Sequence, residues 1–408
     1  MQVTVSNLAP AIGALASDAT FANPAAEGQT IKILASFTDP GTLDSHRATV
    51  DWGDGSGSQL VTVNQGAGFG TVTGSHAYAF GGVYTITLSL ADDDTGVATA
   101  TTTAVITGVG LNNGTLFIIG GQEGDDASVN QTGNGKLKVH ANFIRDKSRD
   151  FDAAIVSRII AYLGGGDDHL SVSNNVRIPL VVHGGAGNDH IGSGGGPSVL
   201  VGDEGNDHLG GQGGRSILIG GSGEDSLVAG AGGDVLIGGS TATDQNDHAL
   251  LSAVAAWNAP SSYAARVVAI DALLVVWDDG DKDRITGGAG LDLYYDGADD
   301  ILAAVKKDEV VLPSPFRTFR GAAMSTGAGG LTFHEMAPLV NTVPEVQLSS
   351  SGLLHQLVAL TDPGRDKWTA MVDFGDGGGP QSVDVRGGKQ YRSICKRSTP
   401  GNHDFGHG

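Results

Sequence analysis

The chain has 408 residues, 65 of them glycine, and a formal net charge of −21. This length is sufficient for two or three domains, and the acidic balance, with no Lys/Arg cluster before the last two dozen residues, excludes a nucleic-acid-binding protein. The sequence has no run of about 18 apolar residues and therefore predicts no membrane-spanning helix.

Residues 1–9 resemble the last strand of a preceding repeat, or a linker. The segment MQVTVSNLAP has neither a basic region nor an apolar stretch, so it lacks the features of a secretory signal peptide. We therefore expect either another export signal or a longer protein of which this chain is a piece.

Residues 10–108 alternate apolar and polar side chains in short runs separated by turn residues, which predicts an immunoglobulin-like β-sandwich. The predicted strands are 30–37, 48–52, 58–63, 83–90 and 98–106. The motifs Asp51-Trp52-Gly53-Asp54-Gly55 and His76-Ala77-Tyr78, the latter followed by Gly82-Val83-Tyr84, resemble those of the PKD domain. Trp52 should then lie in the core, and Tyr84, Ile86 and Leu88 should form one buried face.

Residues 110–183 lead into a repetitive region. Asn134-Gly135 lies between two alternating runs, which predicts a β-hairpin with a type I′ turn. Two long coils follow at 159–172 and 178–191, and their Gly-Asp turns are 21 residues apart.

Between Gly184 and Ile237 the sequence repeats six times with a period of nine. The repeats are GGAGNDHIG, SGGGPSVLV, GDEGNDHLG, GQGGRSILI, GGSGEDSLV and AGAGGDVLI. Position eight is always apolar, and position six is aspartate in four repeats. This pattern predicts a parallel β-roll in which six residues turn and three form a strand, so that two repeats complete one coil.

The repeat pattern stops after Ile237. Apolar residues at 250, 251, 254 and 257, and then at 263, 267, 270 and 274, have helical spacing, which predicts a helical hairpin at 243–274. Thr243 or Asp244 is the expected N-cap. Two further nonads begin at Asp278, and we place the end of the roll region, 110–302, before a linker at 303–342.

The motif Asp373-Phe374-Gly375-Asp376-Gly377 repeats the turn motif of the first sandwich, which predicts a partial second PKD-like domain at 343–385. The later tyrosine motifs of the first domain are not repeated. Residues 386–408 are basic and lose the alternation, so we interpret them as an aberrant or disordered tail. The tail contains the single cysteine, Cys395, which excludes an internal disulfide.

The nonads resemble the calcium-binding repeats of the RTX, or haemolysin-type, family. This resemblance implies that Ca²⁺ is held between stacked turns by position-six carboxylates and by backbone carbonyls of turn glycines, and oxygen ligands suit this hard cation. The residues that the resemblance assigns to the metal are Asp168, Gly187, Asp189, Gly205, Asp207, Gly223, Asp225, Asp234, Asp283 and Asp292.

The position-six residues sort into two unequal columns, one on each side of the roll. One column contains Asp168, Asp189, Asp207 and Asp225 and ends at Thr243, whereas the other contains Ser198, Ser216 and Asp234. We therefore expect calcium mainly along the first. Asp283 is expected to pair with Asp234, and Asp292 to return to the first column without a partner. The alternative role for these aspartates is to cap glycine turns through hydrogen bonds to the backbone.

Two other clusters are candidate metal sites. His169, His190 and His208 occupy position seven and could hold a transition metal, although a solvent-facing strand position is the simpler interpretation. Asp92, with its two acidic neighbours and Asp39, could bind calcium in the sandwich or form a solvated turn. We find no nucleophile, acid and base constellation, so we expect no enzyme activity.

These features predict an all-β chain: a PKD-like sandwich, a parallel β-roll with a small helical hairpin insertion, and a partial second sandwich. We expect a non-enzymatic, calcium-stabilised structural or adhesive segment of a secreted or cell-surface bacterial protein. Its expected partners are calcium ions and an extracellular protein or polysaccharide. The alternative is the non-catalytic, calcium-binding and PKD portion of a secreted hydrolase or RTX-type toxin.

Overall fold

The structure, a computed structural model, describes residues 7–314 and, beyond them, only the backbone of short strand segments. The chain divides into two units, Met1–Arg317 and Thr318–Gly408. The first unit consists of β-strands with two α-helices in its described part. Neither of these helices has the length and apolarity needed to cross a membrane.

The first unit begins with a β-sandwich, as predicted. Its strands are β1 (Ala11–Ser17), β2 (Ala25–Ala26), β3 (Thr30–Thr38), β4 (His46–Asp51), β5 (Gln59–Gly66), β6 (Phe69–Ala77), β7 (Gly82–Asp92) and β8 (Val97–Asn112). One sheet has the order β1-β3-β6-β5, and the other has the order β5-β4-β7-β8 with β2 on β8. Strands β1, β2 and β6 were not predicted from the sequence.

The sandwich core lies where the motifs predicted it. Trp52 and Tyr78 are fully buried, and the Tyr78 hydroxyl donates to the Trp52 carbonyl at 2.8 Å. Alternate residues of β7 from Tyr84 to Leu90 are buried. Gly53 has a φ of 76°, and a Cβ there would lie 2.4 Å from the Thr85 carbonyl oxygen, so this turn requires glycine.

The rest of the described chain is a two-sheet β-roll. Its strands are β9 (Thr115–Ile119), β10 (Asp126–Gln131), β11 (Lys136–Ala141), β12 (Ser148–Asp152), β13 (Arg158–Gly165), β14 (His169–Val172), β15 (Leu180–Ala186), β16 (His190–Gly192), β17 (Ser198–Glu204), β18 (His208–Gly210), β19 (Ser216–Ser222), β20 (Ser226–Val228), β21 (Val235–Ile237), β22 (Ser240–Thr241), β23 (Val276–Trp277), β24 (Arg284–Thr286), β25 (Leu293–Asp296), β26 (Ile301–Ala303) and β27 (Val310–Pro313). One 3₁₀ turn, Ala153–Ile155, follows β12.

The roll strands alternate between two parallel sheets. The first sheet has the order β9-β13-β15-β17-β19-β21-β25-β27, and the second has the order β10-β14-β16-β18-β20-β24-β26, extended by the β11–β12 hairpin. Strand β8 pairs with β7 in the sandwich and with β9 in the roll, so the two parts share one continuous sheet. Position-eight side chains of the nonads are fully buried between the two roll sheets.

A helical hairpin covers the outer face of the first sheet. Helices α1 (Asp247–Trp257) and α2 (Tyr263–Leu273) lie within the predicted 243–274 segment. Their buried side chains, including Leu250, Trp257 and Ile270, pack on the outward-facing residues of β17, β19 and β21. This core is separate from those of the sandwich and of the two roll sheets. The sequence carries this signal, because nonads of the first sheet have aliphatic residues at positions seven and nine as well as eight.

The N-cap of the helical hairpin differs from the prediction. Asn246, not Thr243 or Asp244, caps α1 by accepting from the Ala249 N–H at 3.1 Å. Asp244 instead accepts from the Thr241 N–H within the strand pair β22–β23 that closes the base of the insertion.

The β10–β11 hairpin is present, but its turn is not type I′. A type I′ turn needs positive φ at both central residues, and only Gly135 has it in this loop. The Thr132 N–H donates to the Lys136 carbonyl, and the Gly135 N–H donates to the Thr132 carbonyl. The loop is therefore one residue longer than predicted, because Gly133 belongs to it.

The roll also extends beyond its predicted end at 302. Strand β27 pairs in parallel with β25, so the predicted linker at 303–342 begins too early. The predicted partial sandwich, the tail and most of 1–9 lie outside the described residues. The backbone there is described only for β28 (Gly330–Leu331), β29 (Val346–Gln347), β30 (Gln356–Val358), β31 (Trp368–Val372), β32 (Gln381–Val385) and β33 (Arg392–Ile394).

Candidate metal centre

Seven aspartates stack along one edge of the roll, and we refer to them as the first column. They are Asp125, Asp168, Asp189, Asp207, Asp225, Asp283 and Asp300. The backbone N–H of each of the first six donates to Oδ1 of the next, at 2.6 to 3.2 Å. This repeated hydrogen bond fixes each carboxylate beneath the turn of the preceding coil.

The structure corrects the predicted pairing beyond the helical hairpin. Asp283 follows Asp225 in the first column, and it does not pair with Asp234. Asp292 lies beneath Asp234 instead of returning to the first column. The reason is that the hairpin interrupts a single turn, and strand β24 after it pairs with β20 on the second sheet. Thr243 lies inside the insertion and occupies no position in either column.

Asp125 and Asp300 end the first column and were missed from the sequence. Both occupy position six of imperfect nonads, GGQEGDDAS at 120–128 and YDGADDILA at 295–303. The first is separated from the regular repeats by the β11–β12 hairpin, and its position eight is the small residue Ala127. The signal in the sequence is the position-six aspartate, which both nonads keep although the regular spacing is interrupted.

Five carboxylates of the first column have an oxygen with no hydrogen-bond partner among the described residues. These atoms are Oδ2 of Asp168, Asp189, Asp207, Asp225 and Asp283, and all five side chains are buried. The two end members differ, because Oδ2 of Asp125 accepts from the Gly121 N–H at 2.6 Å and Oδ2 of Asp300 accepts from the Gly297 N–H at 2.8 Å. Buried polar atoms without partners are rare in proteins and require a compensating group.

Burial also raises the pKa of these interior carboxyls. The pKa rises to about 6 for Asp189, about 7 for Asp168 and Asp207, about 8 for Asp283 and about 9 for Asp225. Desolvation is the largest cause in each case; a backbone hydrogen bond opposes it, and nearby carboxylates reinforce it. Ionising these buried carboxyls is therefore unfavourable unless positive charge lies beside them. A hard divalent cation, which prefers oxygen ligands, would supply that charge.

Glycines at nonad position one make room for the unpartnered oxygens. A Cβ on Gly184, Gly202 or Gly220 would lie 2.2 Å from Oδ2 of the aspartate five residues later. Gly238 has the same relation to Asp283 at 2.0 Å, across the helical hairpin. In these four turns position one therefore has to be glycine, whereas Leu163 lies five residues before Asp168.

The predicted glycine ligands also stack in these turns. Gly187, Gly205 and Gly223 have φ values of 139°, 128° and 118°. A Cβ on Gly205 would lie 1.8 Å from the Gly187 carbonyl oxygen, and one on Gly223 would lie 2.3 Å from that of Gly205. The structure thus brings the predicted glycines and the first-column aspartates into the same successive turns.

The opposite edge of the roll, which we refer to as the second column, has satisfied carboxylates. Oδ2 of Asp234 accepts from the Gly230 N–H at 2.7 Å, and Oδ2 of Asp292 accepts from the Gly288 N–H at 2.9 Å. Their Oδ1 atoms accept from the N–H groups of Ser216 and Asp234. This is the turn-capping geometry that the sequence left open. Burial also raises the pKa of Asp234 to about 7. The two columns therefore differ in the hydrogen bonds that their carboxylates accept, and not in the direction of their pKa shifts.

A cation of the protein already lies at the end of the second column. The Lys306 ammonium is 3.5 Å from Oδ2 of Asp292 and 2.6 Å from Oε1 of Glu309, which follows Asp292 in the column. Two earlier positions are the neutral residues Ser198 and Ser216. The second column therefore has less uncompensated negative charge than the first.

Two of the three carboxylates in the acidic cluster of the sandwich have partners. Carboxylate oxygens of Asp39, Asp44 and Asp92 lie within 4.8 Å of one another. However, Asp39 contacts His46 Nε2 at 2.9 Å, and Asp92 accepts from the Gly96 N–H and from Asn7. Of the three consecutive aspartates predicted here, only Asp92 belongs to this cluster.

Comparison with known proteins identifies one part of the chain. Residues 15–108 match the family of the PKD domain. This match agrees with the sandwich and with the buried Trp52 and Tyr84 of the sequence motifs. No curated protein matches the chain.

Proposed function

We propose that this chain is a calcium-stabilised, non-enzymatic segment of a secreted or cell-surface bacterial protein, with a structural or adhesive role. In this proposal the first column is a calcium-binding column of the RTX type. The observation that carries it is the row of five buried Oδ2 atoms without partners. Ca²⁺ would supply the missing positive charge, and it prefers oxygen ligands of this kind.

The interior of the first column offers four gaps between successive turns. They lie between Asp168 and Asp189, Asp189 and Asp207, Asp207 and Asp225, and Asp225 and Asp283. The carbonyl oxygens of Gly187, Gly205 and Gly223 are the candidate backbone ligands. We expect one ion in each gap, so an interior carboxylate such as that of Asp207 serves two ions.

Calcium binding of this kind is coupled to folding. Carboxylates on successive coils are about 5 Å apart at the spacing of β-strands, so without a cation their charges repel. Extracellular calcium modules bind with Kd values of roughly 10⁻⁴ to 10⁻³ M. The roll would therefore be loose in a calcium-poor cell interior and would fold after export.

The joint between sandwich and roll supports a spacer role. Arg149 of β12 pairs with Glu27 of the sandwich at 2.8 Å and lies over the Phe80 ring. Together with the strand β8 that both parts share, this contact makes the PKD domain a cap on the first coil of the roll. PKD domains typically occur in extracellular proteins, which agrees with a rigid element outside the cell.

Calorimetric titration with calcium tests the proposal. Asp207→Asn keeps an Oδ1 acceptor for the Asp189 N–H but removes the charge, so it should reduce the number of bound ions. Asp234→Asn is the matched control, because this buried position-six aspartate has both oxygens satisfied. We expect wild type and Asp234→Asn to bind equally. Equal binding by all three proteins, or a melting temperature indifferent to calcium, would rule out the calcium column.

A further inference from the structure

Three histidines form a ladder on the outer face of the second sheet. His169, His190 and His208 follow one another in register on β14, β16 and β18. Their ring centroids are 5.3 Å and 4.6 Å apart, with interplanar angles of 36° and 28°. His169 and His190 are exposed and His208 is half-buried, so the ring edges can reach solvent.

An aspartate, Asp126, continues the row beyond His169. Asp126 of β10 pairs in register with His169, and its Oδ1 lies 3.2 Å from Nδ1 of that ring. A carboxylate on Nδ1 places the proton there and leaves Nε2 as a free electron-pair donor. Protein metal sites use this arrangement to orient a histidine ligand.

We propose that the ladder binds one divalent transition-metal cation of the type that prefers imidazole, namely Zn²⁺, Ni²⁺ or Cu²⁺, between two neighbouring rings. Nitrogen ligands suit these ions, and water completes their coordination. This site is separate from the proposed calcium column, because it lies on the outer sheet face and offers nitrogen where calcium requires oxygen.

The strand spacing determines which pairs can act. Neighbouring strands are about 4.8 Å apart, so rotation of adjacent side chains brings two ring nitrogens around one ion, whereas His169 and His208 are two strands apart and cannot share one. His190 is therefore common to both possible pairs. The pair of His169 and His190 has the added support of Asp126.

The test is a Zn²⁺ titration of the full chain, in calcium-saturated buffer, followed by calorimetry. All variants carry His403→Gln and His407→Gln, so that histidines of the tail do not contribute. We expect one equivalent in this background. His190→Gln should weaken Zn²⁺ binding by at least about tenfold, since even the loss of a residue that only supports a ligand has an effect of this size.

Single changes at the two ends distinguish the ladder from isolated histidines. His169→Gln and His208→Gln each leave one pair, so both should retain the equivalent with a smaller loss of affinity than His190→Gln. Asp126→Asn should weaken binding only through His169. His140→Gln removes an exposed histidine of β11 on the same sheet and should have no effect.

Cu²⁺ provides a second probe, and it should bind more tightly than Zn²⁺ at a nitrogen site. The proposal is overturned if His190→Gln binds Zn²⁺ as strongly as the His403→Gln, His407→Gln background does, or if all three single variants lose affinity equally. If the chain shows this Zn²⁺ pattern but binds no calcium, only the calcium proposal is contradicted. The two hypotheses can therefore fail separately.

Discussion

The backbone N–H of Asp225 donates to Oδ1 of Asp283 at 2.8 Å, although 58 residues separate them in the sequence. The same hydrogen bond spans 18 residues between Asp189 and Asp207. The helical hairpin is therefore an excursion from a single turn, and the column of carboxylates continues beneath it.

The continuation across the hairpin predicts different roles for the two late aspartates. Asp283→Asn should remove one bound calcium ion, because Oδ2 of Asp283 is buried without a partner. Asp292→Asn should leave the calcium count unchanged, since Gly288 and Lys306 already satisfy that carboxylate. Metal analysis of both proteins after gel filtration in calcium checks the prediction. Loss of an ion from Asp292→Asn and not from Asp283→Asn would contradict these two roles.

Glycine at position one is a steric requirement that substitution can test. Gly202→Ala would place a Cβ 2.2 Å from Oδ2 of Asp207 and 2.3 Å from the Gly220 carbonyl oxygen. We expect a loss of about 1–3 kcal/mol in the free energy of unfolding, together with weaker calcium binding. Gly210→Ala is the control, because its nearest contact would be 3.9 Å away. Chemical denaturation in calcium measures both, and equal stability of the two variants would contradict the prediction.

The calcium-free chain should lose stability as pH rises. Burial raises the pKa of the interior carboxyls from 3.8 to between about 6 and about 9. The folded state then binds more protons than the unfolded state above about pH 4, so the free energy of unfolding falls from there through about pH 9. Saturating calcium should reduce this dependence, since the ion replaces the protons. Melting curves at several pH values, with and without calcium, provide the measurement; a calcium-free melting temperature that rises with pH would contradict it.

His183 holds the helical hairpin to the roll. Its Nε2 lies 2.9 Å from Oδ1 of Asp247, the first residue of α1, and its Nδ1 lies 3.6 Å from Asp203, an ion-pair distance beyond hydrogen bonding. The Tyr162 ring stacks on the imidazole and its hydroxyl donates to Asp247 at 2.5 Å. Three successive strands of the first sheet thus contribute one residue each to this contact.

The charge of His183 should contribute stability at neutral pH. Burial alone would lower its pKa, but the carboxylates of Asp203 and Asp247 outweigh burial and raise it from 6.5 to about 9. The contribution is therefore complete below about pH 6.5 and is lost as pH rises through about 9. His183→Gln should destabilise the calcium-loaded protein by about 1.5–3 kcal/mol, because it removes a charged partner from two half-buried carboxylates.

Denaturation of calcium-loaded wild type and His183→Gln on both sides of that range measures the contribution. The difference between them should shrink at high pH. His140→Gln, on an exposed strand position, is the control and should behave as wild type. A difference that is constant with pH would mean that packing, not charge, accounts for the role of His183.

The sequence by itself determined the repeating local structure. A period of nine with an apolar position eight is sufficient to predict two parallel sheets, because every coil must bury that side chain between them. Trp52 and the alternation of Tyr84, Ile86 and Leu88 likewise predicted the sandwich core, since a strand exposes its two faces in turn. Helical spacing after Ile237 predicted the hairpin.

The tertiary structure alone decided which carboxylates remain unsatisfied. Asp207 and Asp234 occupy the same nonad position, yet Gly230 satisfies Oδ2 of Asp234 and no described residue satisfies that of Asp207. The donating Gly230 lies four residues before Asp234 in the same nonad, and Gly221 stands at the same distance before Asp225. The Gly221 N–H donates to the Gly238 carbonyl instead, so the path of the backbone, which the local sequence does not specify, decides the difference. The sequence also did not determine which column Asp283 and Asp292 join. The length of the helical insertion is independent of the nine-residue repeat, so only the strand pairing shows on which sheet the chain continues.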